Sequence, residues 1–146
     1  MRRRRVRFSD YYDNIIKEEI AKIYNVDKDK IFLGSRKKNI IFAKRMYIFV
    51  LRNVFHMTLV EIAEITNMHH ASIIHHSRKF EFFYNNYPKD TEAFKQIESR
   101  IIEVEVEEEI IALEKRKASI EDSLTKLYLI KSQKHEREKR KNLLTK

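Results

Sequence analysis

The side chains best suited to chemistry in this sequence are four histidines in two adjacent pairs, followed by a basic pair. The histidines occupy positions 69–70 and 75–76, and Arg78 and Lys79 come shortly after them. A metal site on one helix needs two imidazoles four residues apart, whereas these pairs are separated by five to seven residues. We therefore expect no metal and no other cofactor. Imidazoles titrate at about pH 6.5, so they would strengthen binding to a polyanion as the pH falls.

The basic side chains are gathered into three blocks. The net charge is +9, and residues 1–8, 36–88 and 131–146 each carry +5, whereas the stretches between them are acidic. Either terminal block alone also fits a solvated tail that aids solubility. Three basic blocks on an otherwise acidic chain, however, are the electrostatic footprint of a protein that binds a polyanion.

Several classes of function are excluded or disfavoured by composition. The chain has no cysteine, which excludes disulfides and thiolate chemistry, and its single glycine cannot build a Gly-x-x-x-x-Gly-Lys phosphate loop. No paired carboxylates in an apolar setting and no Ser-His-Asp arrangement are suggested, so we expect no enzymatic activity. No run of about 18 apolar residues occurs, and no apolar signal region follows Arg7. We expect a cytoplasmic protein with no membrane contact.

The elements that position these side chains are predicted to be helices. One glycine and one proline leave little material for hairpins, which favours an all-α fold. Apolar residues at helical spacing predict a first helix from Ser9 or Asp10 to Tyr24. They also predict a long second helix from about Arg36 to Phe55, which is too apolar to face solvent on all sides and is expected to be central in the core.

The stretch that carries the histidines predicts a helix-turn-helix. Thr58 and Glu61 have the spacing of a capping box at the start of a short helix. Asn67 is suited to the turn that follows, and a longer helix is expected from near His69 to about Asn85. A short helix, a tight turn and a longer helix with polar residues in its first turn is the pattern of a DNA-reading motif.

Beyond Pro88 the pattern predicts a further helix, with Asp90 as its cap. Its apolar stripe changes phase near residues 104–106 and continues to Leu127, with Lys117 interrupting it. Ser119 begins a sequence that fits a second capping box, so a break there is one alternative. The spacing of three and four suits either a coiled coil or a helix folded back on the domain.

With the helix-turn-helix in place, residues from 14 to about 104 resemble the C-terminal DNA-binding domain of the bacterial replication initiator DnaA. Residues 35–40, Ser-Arg-Lys-Lys-Asn-Ile, resemble its basic loop. Residues 58–63, Thr-Leu-Val-Glu-Ile-Ala, resemble the family's Ser-Leu-Pro-Glu-Ile-Gly. Residues 69–81, His-His-Ala-Ser-Ile-Ile-His-His-Ser-Arg-Lys-Phe-Glu, resemble its signature Asp-His-Thr-Thr-Val-Leu-His-Ala-Cys-Arg-Lys-Ile-Glu. The resemblance implies a stand-alone domain without the ATPase engine. Its fold would be a DnaA domain IV-like or Trp-repressor-like bundle with a long C-terminal helical extension.

The predicted organisation has three parts. Residues 1–8 form a basic arm, residues 9–104 the DnaA-like helix-turn-helix domain, and residues 105–146 a helical, coiled-coil-like extension with a basic end. The expected partners are double-stranded DNA and, through residues 105–146, either another protein or a second copy of the chain.

Each part of the predicted DNA interface has named residues. The N-terminal end of a recognition helix meets base edges in the major groove, which assigns base contact to His69, His70, Ala71 and Ser72. By resemblance, Arg36 enters the minor groove and phosphates are held by Lys44, Arg45, Arg52 and Thr58, with Lys79 as a further phosphate contact. The basic arm contributes Arg2, Arg3, Arg4, Arg5 and Arg7. His69 and Ala71 replace the signature's Asp and first Thr, so we do not expect the initiator's own DNA site to be recognised.

Two functions are compatible with these features. The first is a sequence-specific regulator or replication-associated factor, encoded by a phage or mobile element and located at the nucleoid. The alternative is an architectural or packaging protein, associated with a virion, that binds nucleic acid non-specifically and assembles through its helical tail.

Overall fold

The computed structural model describes residues 6–145, so Arg2, Arg3, Arg4 and Arg5 of the predicted arm lie outside the described residues. Every regular element in the described part of the chain is helical. The α-helices are α1 (Asp10–Tyr24), α2 (Lys38–Asn53), α3 (Leu59–Thr66), α4 (His70–Asn86) and α5 (Pro88–Leu144), with a short 3-10 helix at Lys28–Lys30. The helical content of the described residues agrees with the prediction of an all-α fold.

Helix α2 is the centre of the core. Its side chains from Met46 to Leu51 are all buried, as expected for a helix that has no solvent-facing side in that stretch. Phe49 of α2 contacts two other helices. Its ring centroid lies 4.7 Å from that of Phe80 in α4 and 5.1 Å from that of Phe94 in α5. Aromatic packing on α2 therefore helps to hold α4 in place.

The turn between α3 and α4 is made without glycine. Thr58 and Glu61 form the predicted capping box at the start of α3. Asn67 ends that helix with a φ of 53°, in the left-handed region that asparagine tolerates better than most residues. Asn67 thus adopts the left-handed conformation that glycine adopts in many such turns.

Helix α5 begins three residues earlier than the sequence pattern predicts. It starts at Pro88, and Asp90 lies in its first turn instead of capping it. Proline is well suited to the first position of a helix, because its fixed φ is helical and the N–H it lacks has no intrahelical acceptor there. The helix also runs through Ser119, so the alternative of a break at that residue is wrong.

The chain separates into two compact units, the first ending at Glu105 and the second beginning at Val106. Buried residues of α5, from Ala93 to Val104, belong to the first unit. In the second unit every described residue is exposed. Within residues 6–145, no helix combines the length and apolar character needed to cross a membrane.

Candidate nucleic-acid interface

Helix α4 presents exposed residues to solvent along its length, among them Ala71, His75 and Arg78. Ile73 and Phe80 are fully buried and hold the opposite face of the helix against the core. His70, Ala71 and Ser72 are exposed in the first turn, as the sequence predicts for residues that meet a ligand. Ala71 lies two positions before the buried Ile73, on the opposite side of the helix, and His75 shares that side because it is four positions further on.

His69 has a structural role that the sequence analysis did not assign. It is the N-cap of α4, and its Nδ1 accepts a hydrogen bond from the backbone N–H of Ala71 at 3.1 Å. The first N–H groups of a helix have no intrahelical acceptor, so this contact satisfies one of them. Because Nδ1 accepts, a neutral His69 carries its proton on Nε2, where it is a donor.

The basic pair of α2 lies beside the middle of α4. The guanidinium carbon of Arg45 is 5.6 Å from the ring centroid of Phe42 and 5.9 Å from that of Phe83. Stacking of this kind is typical of arginine and holds its planar head in one place. The Nε of Arg45 is buried and has no hydrogen-bond partner among residues 6–145, and burial lowers the pKa of this guanidinium from its ordinary value.

His76 faces the same basic pair. Burial lowers its pKa to about 4, and the positive charges of Arg45 and Lys44 and the neighbouring His75 act in the same direction. Its Nδ1 is buried and has no hydrogen-bond partner in the described part of the chain. His76 is therefore neutral at physiological pH, and Lys44 and Arg45 supply the positive charge on this side of α4.

Two of the predicted phosphate contacts meet at the connection between α2 and α3. Nη1 of Arg52 donates a hydrogen bond to the carbonyl oxygen of Met57 at 3.2 Å, which brings the guanidinium next to Thr58. The backbone N–H of Thr58 donates to Glu61 at 2.8 Å, and Oγ1 of Thr58 accepts from the N–H of Glu61. Only the hydroxyl proton of Thr58 is left to donate to a phosphate.

A shallow groove of about 630 Å³ follows the outward face of α4. Among the residues that line it are Ala71, His75, Arg78 and Lys79. His75 and Arg78 were not among the residues assigned to the DNA interface, although the position of His75 four residues after Ala71 signals that those two side chains share a face. Lys79 is exposed and lies on this groove, away from the first turn.

The remaining predicted contacts lie at the edges of the domain. Arg36 is exposed in the connector that precedes α2. Arg7 is exposed, while its neighbours Val6 and Phe8 pack against the core, and the ring of Phe8 lies 5.4 Å from that of Phe55. The described end of the arm is thus fixed beside the end of α2.

Comparison with known proteins identifies the motif. Residues 13–80 match the family described as bacterial dnaA protein helix-turn-helix. A segment of 69 residues, 47% of this chain, is 28% identical to the chromosomal replication initiator protein DnaA of Kosmotoga olearia. That segment corresponds to 15% of the relative's length.

The family match runs from within α1 to within α4, and it includes the first turn of α4, the basic pair of α2 and the capping box. The resemblance noted in the sequence is therefore confirmed over residues 13–80. Residues 13–80 are thus similar to the helix-turn-helix of bacterial DnaA proteins, a type of motif that binds DNA.

Proposed function

We propose that the protein is a sequence-specific double-stranded DNA-binding factor, acting in regulation or replication and not as an enzyme. The observation that carries the proposal is the first turn of α4, where His70, Ala71 and Ser72 are exposed beside a helix N-terminus. A recognition helix presents these positions to base edges, and its dipole favours nearby phosphate.

The base-reading chemistry follows from the three side chains and the cap. Ser72 offers a hydroxyl that donates or accepts, and the methyl group of Ala71 suits a thymine methyl. The Nε2–H of His69 matches the acceptors N7 and O6 of guanine. This set differs from the family's Asp and Thr at the same places, so we propose a different preferred site.

The basic residues would hold the DNA backbone on both sides of the first turn of α4. Lys44 and Arg45 lie beside α4, and Arg52 lies beside Thr58 at the start of α3. Arg45 is preorganised by Phe42 and Phe83, so less side-chain freedom is lost when it meets a phosphate.

Selection of bound duplexes from a random pool, followed by salt titrations on the selected and random sequences, tests the proposal. We expect a specific site bound at least about 10³-fold more tightly than random DNA. Equal affinity for all sequences would contradict specific recognition and favour an architectural or packaging protein.

Two sets of variants separate base reading from backbone binding. His70→Ala with Ser72→Ala should lower the ratio of specific to non-specific affinity, at about 1–3 kcal/mol for each lost base contact. Lys44→Gln should weaken binding to all sequences alike and reduce the salt slope by about 1. Lys44 is preferred to Arg45 because substitution of Arg45 also removes its packing on Phe42 and Phe83. If the two sets act alike, the assignment of roles is wrong.

A further inference from the structure

The second unit presents an apolar face that matches a coiled coil. When Val106 is given position d of the heptad, the next six core positions are apolar except for one lysine. The core positions are Val106, Ile110, Leu113, Lys117, Ile120, Leu124 and Leu127. The apolar members are between 45% and 61% exposed, so no other element of the described chain covers this face.

The opposite face of the helix differs in chemistry. The outer b, c and f positions carry mostly small or polar residues, and Lys126 there forms an ion pair with Asp122 at 2.9 Å. The helix thus has apolar core positions on one side over three heptads and mostly solvated residues on the other. This pattern is typical of a helix that pairs with another helix.

The charges favour a second copy in the antiparallel sense. Residues 107–114 hold four Glu and no basic residue, whereas residues 131–145 carry a net charge of +4. A parallel pair would place the two acidic runs side by side, and likewise the two basic runs. It would also place Lys117 beside Lys117 in the core. An antiparallel pair separates the like charges and directs each basic run toward the acidic end of the other copy.

We propose that residues 106–131 form an antiparallel coiled coil with the same segment of a second copy of this chain. The register that matches core positions places Ile110 against Leu127 and Leu113 against Leu124 of the second copy. Lys117 lies beside Ile120, with its aliphatic stem on the core and its ammonium group in solvent.

The proposal does not depend on DNA binding, so its test is made on the full chain alone. Light scattering during size exclusion should give twice the mass of one chain. Leu113→Glu should raise the dissociation constant by about 100-fold or more, because each dimer buries Leu113 twice. The matched control is Leu129→Glu, an outer position that is 59% exposed. It should leave the dimer intact, and retained thermal unfolding of the first unit shows that each variant is folded.

Orientation is tested with cysteines, because the chain has none of its own. An untagged Leu113→Cys chain mixed with a tagged Leu124→Cys chain should form the mixed disulfide under oxidation. Leu124→Cys alone should not cross-link to itself. Self-cross-linking of Leu124→Cys without the mixed product would overturn the antiparallel arrangement. The coiled coil itself would be overturned if the chain stayed monomeric at about 100 μM. It would also be overturned if Leu113→Glu left the dissociation constant of the dimer unchanged.

Discussion

The four histidines of the recognition region have different environments, although the sequence places them in two similar pairs. His69 caps α4 through Nδ1, and protonation of that atom would remove the acceptor. His76 is half-buried with a pKa of about 4. His70 and His75 are exposed. His70 and His75, unlike the half-buried His76, are therefore placed to meet a polyanion.

The buried His76 predicts that the first unit loses stability in mild acid. Its folded-state pKa lies below the ordinary value of 6.5, so the first unit has its full stability above about pH 6.5, where His76 is neutral in both the folded and the unfolded state. Stability is lost progressively as the pH falls toward about 4, because the unfolded state binds the proton more readily. We expect His76→Gln to remove roughly 1 kcal/mol of the change in unfolding free energy between pH 7 and 5, after allowance for solvent screening.

Urea unfolding of the parent and variant chains at several pH values measures this effect. His75→Gln is the matched control, since His75 is the exposed neighbour on the same helix. A pH dependence that His76→Gln leaves unchanged would show that burial of this imidazole does not contribute to acid sensitivity.

At the scale of elements, the helix-turn-helix depends on the conformation of its turn. Asn67 is in the left-handed region, where a Cβ atom costs roughly 1–2 kcal/mol unless the side chain can bond locally. Asn67→Ala should therefore destabilise the first unit by about 1 kcal/mol and weaken DNA binding, because α3 and α4 would be less well fixed.

Asn67→Gly serves as the comparison, since glycine adopts this conformation without steric cost. It should be close to neutral in thermal unfolding. If Ala and Gly have the same effect at this position, the turn is not governed by its φ angle.

The element boundaries show which local signals are reliable. The capping box of Thr58 and Glu61 and the turn at Asn67 are set by neighbouring residues, and both were predicted. The start of α5 was placed too late, because both Pro88 and Asp90 are good residues for a first turn and only the backbone distinguishes them.

At the scale of the whole molecule, we expect the basic blocks to set the salt dependence of DNA binding. Each phosphate contact contributes about 0.9 to the slope of log affinity against log salt. Replacement of Arg2, Arg3, Arg4 and Arg5 by Gln should lower that slope by up to about 3–4, with similar losses on selected and random DNA.

The same replacement in the C-terminal block, at Lys139, Arg140 and Lys141, compares the two termini. Salt titrations of both variants on one duplex make the measurement. A slope that neither replacement changes would show that the ends of the chain are solvated tails and that the contacts lie within the first unit.

The sequence by itself determined the helices, the central place of α2 and the helix-turn-helix, because these follow from residue spacing and from caps within a few positions. It also located the first turn of α4 and the basic pair of α2. Only the tertiary structure decided how those side chains are held. Arg45 lies over Phe42 and Phe83, and Arg52 donates to the carbonyl of Met57. His76 is neutral because packing buries it beside Lys44 and Arg45. Most of these contacts join residues distant in the chain, and all depend on burial and direction, which spacing does not specify.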